Sequence, residues 1–388
     1  MNSAERDALA LVSWSVIAEP GDGIAAALVA ALGPAEALAW VALAGDDPVL
    51  ATMRLAPVAE PHTIDRAIAA SERWRLRDSD PDAHLQRAAS IGATAITRGG
   101  PGWPQAFDDL GDAAPFCLWV RGEIDLDATW STGVAVVGSR SSTDYGNHIA
   151  AGIAGRIVDD RRAVISGGAL GIDARAHAAA LAGSGVTVAV MAGGVDRLYP
   201  RANHELLEQV IASGAVVSES PCGYGPHRHR FLTRNRLIGA AAGTVVVEAA
   251  HRSGALSTAF HAADLGRPVG AVPGSITQPM SAGCHRLVRS GAATLLSSIG
   301  DVIELVSPVG VRDAESTGEE SADPAQRQAY DALSTRYREA RAIAAEAGLS
   351  PGELRAALGS LEIAGKAECD GGRWRKAAAT LSARKRKK

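Results

Sequence analysis

Six short, almost wholly apolar runs constrain this chain most. Val134–Val137, Ala163–Ile165, Val186–Val190, Ala215–Val217, Thr244–Val247 and Val269–Val272 recur every 20 to 30 residues, with helical patterns between them. A strand that meets solvent on one face alternates apolar and polar residues, whereas a continuous apolar run means both faces are buried. Such runs separated by helices predict a parallel sheet in an α/β fold. Successive right-handed strand–helix–strand units make it an extended, doubly wound, Rossmann-like domain, here over residues 93–306.

Residues 1–92 read as a small helical accessory bundle. Leu9, Leu11, Val12 and Ile17, then Ile24, Leu28 and Leu32, fall at spacings that include threes and fours, and Pro20-Gly21 and Gly33-Pro34 break the helices into short pieces. Thr63–Arg75 and Pro81–Ser90 read as a second helical pair. A helix-hairpin-helix contact with nucleic acid would meet phosphate through the Glu19–Gly23 loop, which is acidic. Beyond the sheet domain, an acidic linker over 307–324 holds Asp313, Glu315, Glu319, Glu320 and Asp323. Helical segments near 325–336, 338–347 and 351–364, then two alternating strands across Gly371-Gly372, predict a winged helix over 325–376 and leave a basic tail over 377–388.

The charge balance, 39 Lys+Arg against 43 Asp+Glu for a net of −4, would seem unfriendly to nucleic acid. It is uneven, since residues 373–388 carry eight Lys or Arg and no acid. Cys117, Cys222, Cys284 and Cys369 show no paired spacing, which suits reduced thiols in a cytoplasm and offers no zinc site. The N-terminus meets acid and base before any apolar run, so it does not read as a signal peptide, and no run approaches the ~20 apolar residues of a membrane helix. These features predict a cytoplasmic protein without a membrane partner.

In a doubly wound sheet, ligands bind beyond the C-terminal ends of the strands. The segments leaving that edge are Gly138-Ser139-Arg140, Ser166-Gly167-Gly168-Ala169-Leu170-Gly171-Ile172-Asp173, and Gly193-Gly194 continuing to Tyr199 and Asn203. Glycines let backbone approach an anion, the following helix N-termini aim N–H groups at it, and Arg140 offers a forked cation for phosphate. Between Glu219 and Glu248 there is no acid, and the centre runs His227-Arg228-His229-Arg230-Phe231-Leu232-Thr233-Arg234-Asn235-Arg236. Four arginines with an aromatic among them predict an electrostatic track with a stacking surface for single-stranded nucleic acid. His227 and His229 could begin a metal site, but no third ligand is spaced to join them, so no metal is expected. After the strand ending at Glu248, Ser253, Gly254 and Thr258 open a helix and suit a phosphate, while Glu248 reads as a residue that orients loops or the arginines from beneath.

GxGxxG is missing after the first apolar run, and the first lysine in the chain is Lys366, which excludes a P-loop; no nucleotide cofactor is expected. GxSxG and HExxH are also missing. Three functions compete: a single-strand DNA-binding protein without catalysis, a nucleotide phosphoribohydrolase centred on Glu248, and a winged-helix regulator. The last is thin, because Arg355 is the only base-contacting cation of the candidate recognition helix Pro351–Ala364.

Taken together, GSR-x3-DYG (Gly138–Gly146), ISGGALGID (Ile165–Asp173), AGGVDRLYPRAN (Ala192–Asn203), F-x2-RNR (Phe231–Arg236), VVEA-x3-SGALSTA (Val246–Ala259) and AVPGS (Ala271–Ser275) resemble the DNA-processing protein A family, also called DprA or Smf. The resemblance implies a SAM/HhH-like helical N-terminal domain, a Rossmann-like core and a C-terminal winged helix. It implies a homodimer that binds and protects incoming single-stranded DNA and loads a RecA-type recombinase in natural transformation and homologous recombination, with single-strand-binding protein a further partner. Carried over by position, Arg140, the SGGALGID turn, Asn203, Phe231, Arg234 and Arg236 would hold the strand. One departure is that Ile238–Gly243 carries no hydroxyl side chains where the family's helix is richer in them.

Overall fold

The computed structural model describes residues 2–77, 80–307, 324–334, 336–363 and 366–377, which fall into two compact units, 1–308 and 309–388. The acidic linker and the basic tail lie outside the described residues, apart from their ends.

The first unit opens with helices α1 (Ser3–Ile17), α2 (Gly23–Leu32), α3 (Pro34–Asp46), α4 (Pro48–Leu55), α5 (Pro61–Arg75) and α6 (Pro81–Ala89). Asn2 and Glu5 form a capping box on α1, and prolines begin α3 to α6, where a missing N–H costs nothing. Their core is built on the buried Trp14, Trp40 and Trp74. Trp14 also lies 5.8 Å from Phe116, so the helices pack directly against the start of the sheet.

The sheet has nine strands: β1 (Ala93–Thr97), β2 (Cys117–Gly122), β3 (Val134–Val137), β4 (Val164–Ser166), β5 (Thr187–Met191), β6 (Ala215–Ser218), β7 (Gly243–Val246), β8 (Val269–Ala271) and β9 (Thr294–Leu295). Their order is β1-β2-β6-β5-β4-β3-β7-β8-β9, with β3 to β9 parallel and β1 and β2 antiparallel at one edge. The all-apolar strands are buried on both faces, as their sequence requires. Between and after the strands come α7 (Leu126–Thr132), α8 (Asp144–Asp159), α9 (Ile172–Ala182), α10 (His204–Ser213), α11 (Arg228–Gly239), α12 (Ala255–Asp264), α13 (Ala282–Arg289) and α14 (Asp301–Val306); α11 and α12 cover one face, α8 and α9 the other. From β3 the chain winds outward through β4, β5 and β6, then returns to place β7 on the other side of β3. That reversal opens a crevice beyond the ends of β3 and β7, the switch point where doubly wound sheets bind ligands.

The second unit is a three-helix winged domain: α15 (Pro324–Ala332), α16 (Ala340–Ala347) and α17 (Pro351–Ile363), with β10 (Arg338–Glu339), β11 (Ala367–Asp370) and β12 (Arg373–Lys376) forming a small sheet in the order β10-β12-β11. Gly371 and Gly372 both take positive φ in the two-residue turn, as a hairpin of this length needs.

Candidate functional site

The crevice is a cavity of about 330 Å³ lined by segments distant in sequence. Gly138, Ser139 and Arg140 leave β3; Ala169 and Asp173 follow β4; Phe231, Arg234 and Asn235 come from α11; Ser253, Gly254 and Thr258 begin α12. The fold therefore gathers half of the residues singled out from the sequence around one opening. Arg140 is exposed and lies over the Phe231 ring at 5.2 Å, and Phe231 lies 5.8 Å from the exposed Tyr199. Arg140 and Phe231 line the crevice and Tyr199 stands beside Phe231, so the row combines a cation suited to phosphate with rings suited to base stacking.

Beneath the row, the turns are held by internal bonds. Gly171 takes φ +79, and a Cβ there would sit 2.2 Å from the Ser139 carbonyl oxygen, so only glycine lets the two turns touch. Asn203 donates through Nδ2 to the carbonyls of Gly168 (3.0 Å) and Ala169 (3.1 Å), fixing the turn from behind. The Asp173 carboxylate accepts from the Gly167 N–H at 3.2 Å, and Arg234 donates to the Gly167 carbonyl at 3.0 Å and to that of Val190. Burial pushes the Asp173 carboxyl above its usual range and Arg234 down to about 10, their mutual attraction opposing both shifts. Arg234 stays charged at neutral pH, a buried positive centre under the crevice.

Three parts of the sequence reading need correction. Ser166 is fully buried, and its Oγ donates to the Val136 carbonyl at 2.6 Å, so it ties β4 to β3 rather than facing a ligand. Arg230 and Arg236 are not open to solvent. Arg236 is 3% exposed and donates twice to Glu219, at 2.9 and 2.7 Å; Arg230 is 5% exposed and grips Glu19 at 2.9 and 3.0 Å. Charges taken out of water need partners, and these two have found carboxylates of the same chain. Gly193 and Gly194 are buried against the Pro221–Pro226 backbone, Gly194 donating to the Tyr224 carbonyl at 2.8 Å, and they lie outside the cavity lining. Arg228 is exposed at the first residue of α11. Among the described residues neither Arg228 nor Arg140 has an ion pair.

Glu248 is 2% exposed and accepts from the Thr143 N–H (2.9 Å) and hydroxyl (2.6 Å) at the start of α8. There it caps the positive end of the helix and fixes the Ser141–Thr143 loop that carries Arg140's neighbours. Glu19 is the residue that the sequence could not assign. Burial alone would push its carboxyl up, but hydrogen bonds from Arg230, His229 and Arg77 overcome this and hold it at about 2. The acidic N-terminal loop thus binds Arg230 and His229 of α11. Glu219 gave no local signal, since it acts on an arginine 17 residues away.

The sheet domain matches the family model of DNA recombination-mediator protein A over residues 94–307, and residues 313–373 match the DprA winged helix domain. The chain belongs to the DprA family. A putative DNA processing protein DprA of Mycobacterium tuberculosis is 41% identical over 377 residues, covering 93% of this chain and 92% of that one. The DprA of Streptococcus pneumoniae is 39% identical over 206 residues, 52% of this chain and 70% of that one. Among solved structures, S. pneumoniae DprA superposes with a TM-score of 0.55 at 31% identity, covering 69% of this chain and 96% of that one. DNA processing protein A from Helicobacter pylori, described for its single-stranded DNA binding mode, gives 0.50 at 28% identity over 55% and 95%.

Proposed function

We propose that this DprA-family chain binds single-stranded DNA in the crevice between β3 and β7, without a catalytic step. The observation that carries this reading is the Arg140–Phe231–Tyr199 row: an exposed cation with no ion pair among the described residues, beside the half-buried Phe231 ring and the exposed Tyr199 ring. Arg140 and Arg228 contact phosphates, the α12 start around Ser253 and Thr258 supports them, and Phe231 stacks a base without regard to its identity. The H. pylori relative's single-stranded DNA binding supports the choice of ligand. Against the phosphoribohydrolase reading, Glu248 is spent on capping α8.

In the cell, the chain protects incoming strands and loads a RecA-type recombinase on them in transformation and homologous recombination, acting as a cytoplasmic homodimer that meets single-strand-binding protein. Gel-shift titration of single- against double-stranded oligonucleotides at two salt concentrations tests the binding, with tighter retention of the single strand and only a shallow loss at the higher salt expected. Equal affinity for both, or release of free base from nucleoside monophosphates, would overturn it. Loading is tested by recombinase filament growth on DNA coated with single-strand-binding protein.

A further inference from the structure

The winged domain carries a feature that strand binding in the sheet domain leaves unused. Between α16, α17 and the β11–β12 hairpin lies a groove of about 690 Å³. Its floor is the buried Ala344, Leu354 and Leu358, its accessible apolar rim is Pro351 and the half-buried Trp374, and Arg341 and Arg355 flank it; among the described residues no acid lines it. Elsewhere in the unit, Arg338 holds Glu346, Arg373 holds Glu339 and Arg375 holds Glu368. Arg341 and Arg355 are exposed and, among the described residues, form no ion pair. A winged helix that reads duplex DNA lays its recognition helix along base edges with several polar side chains. Here α17 and the wing instead frame an apolar recess with one guanidinium on α16 and one on α17.

We propose that this groove is a docking site for an acidic peptide segment of a partner protein, with bulky apolar side chains seated on Pro351 and Trp374 above the buried Leu354 and Leu358, and carboxylates on Arg341 and Arg355. Apolar anchors supply the affinity and the two cations select sign and register. The inference is independent of strand binding by the crevice.

Cys369 lines the groove and is exposed, whereas Cys117, Cys222 and Cys284 are buried, so alkylation of Cys369 in the full-length chain reports occupancy. The probe is a short synthetic peptide rich in Asp with two bulky apolar side chains. Saturating peptide is expected to slow Cys369 alkylation about tenfold, and Arg341→Glu/Arg355→Glu to weaken it about tenfold without shifting the thermal midpoint, both side chains being exposed. Lack of protection, equal protection by the Asn version of the peptide, or stronger protection by duplex DNA would overturn the proposal. So would faster alkylation, without peptide, on neutralising Asp313, Glu315, Glu319, Glu320 and Asp323, since the chain's own linker would then be the occupant.

Discussion

Arg236 and Arg140 belong to motifs that meet where Arg140 lies over Phe231, yet the structure gives them opposite roles, and their substitution separates the two. Arg236→Met removes a guanidinium that donates twice to Glu219 and once to the Ala113 carbonyl at 2.7 Å. The side chains of the pair are 4% and 9% exposed, so Glu219 would be left as a buried carboxylate without its cation. Breaking such a pair on one side costs about 3–5 kcal/mol. For a unit of this size that is a thermal midpoint lower by on the order of 10 °C, followed by circular dichroism or calorimetry on the transition of the sheet domain. Replacing both partners, Arg236→Met with Glu219→Leu, should recover most of the loss, because two apolar side chains leave no charge to solvate. Arg140→Ala removes only an exposed cation and its contact with Phe231, so the midpoint should move by no more than about 2 °C. Its affinity for single-stranded DNA should fall about tenfold, with a salt slope shallower by about 0.7. An Arg236→Met protein that keeps its midpoint but loses strand binding would refute this division, as would an Arg140→Ala protein with unchanged affinity.

Phe231→Leu keeps an apolar side chain but removes the stacking plane; affinity for all strand sequences should fall by roughly tenfold at an unchanged salt slope, read by fluorescence anisotropy. His177 is fully buried: Thr187 gives its own proton to the Val164 carbonyl, so the ring Nδ1–H donates to Thr187 Oγ1, while the buried Nε2 has no partner to stabilise a second proton and burial keeps the ring neutral. Burial, with Arg234 nearby, holds its pKa down at about 3 against 6.5, so its contribution is present above pH 6.5 and is lost as pH falls toward 3; His177→Leu should flatten the pH dependence of the thermal midpoint over that window. Glu19, held at about 2 against 4.5, contributes stability that is lost only as pH falls from 4.5 toward 2. Glu19→Gln should therefore flatten the lower window and leave the loss between pH 6.5 and 4.5 in place.

The strands β3 to β8 were legible because burial on both faces leaves a local signature, six apolar runs that need no knowledge of their neighbours. The antiparallel edge was not: β1 is mostly half-exposed, and β2 owes its place to β6, almost a hundred residues later. The same distinction governs the arginines. The interval from Ser220 to Val247 is free of acid along the chain but not in space, because Glu219 folds back from its border and Glu19 arrives from the N-terminal loop. A run of basic residues counts toward a nucleic-acid track only after the carboxylates that the fold delivers are subtracted, and those carboxylates leave no mark in the run itself. Of the five arginines read as strand contacts, Arg230 and Arg236 are consumed in this way, and Arg234 is buried beneath the turn. Arg140 and Arg228 remain. With about 0.7 of salt slope per neutralised phosphate on a single strand, two contacts give a slope near −1.4, well short of what five would give. A shallow salt dependence is therefore what the proposed strand binding predicts, with stacking on Phe231 and Tyr199 expected to supply most of its affinity.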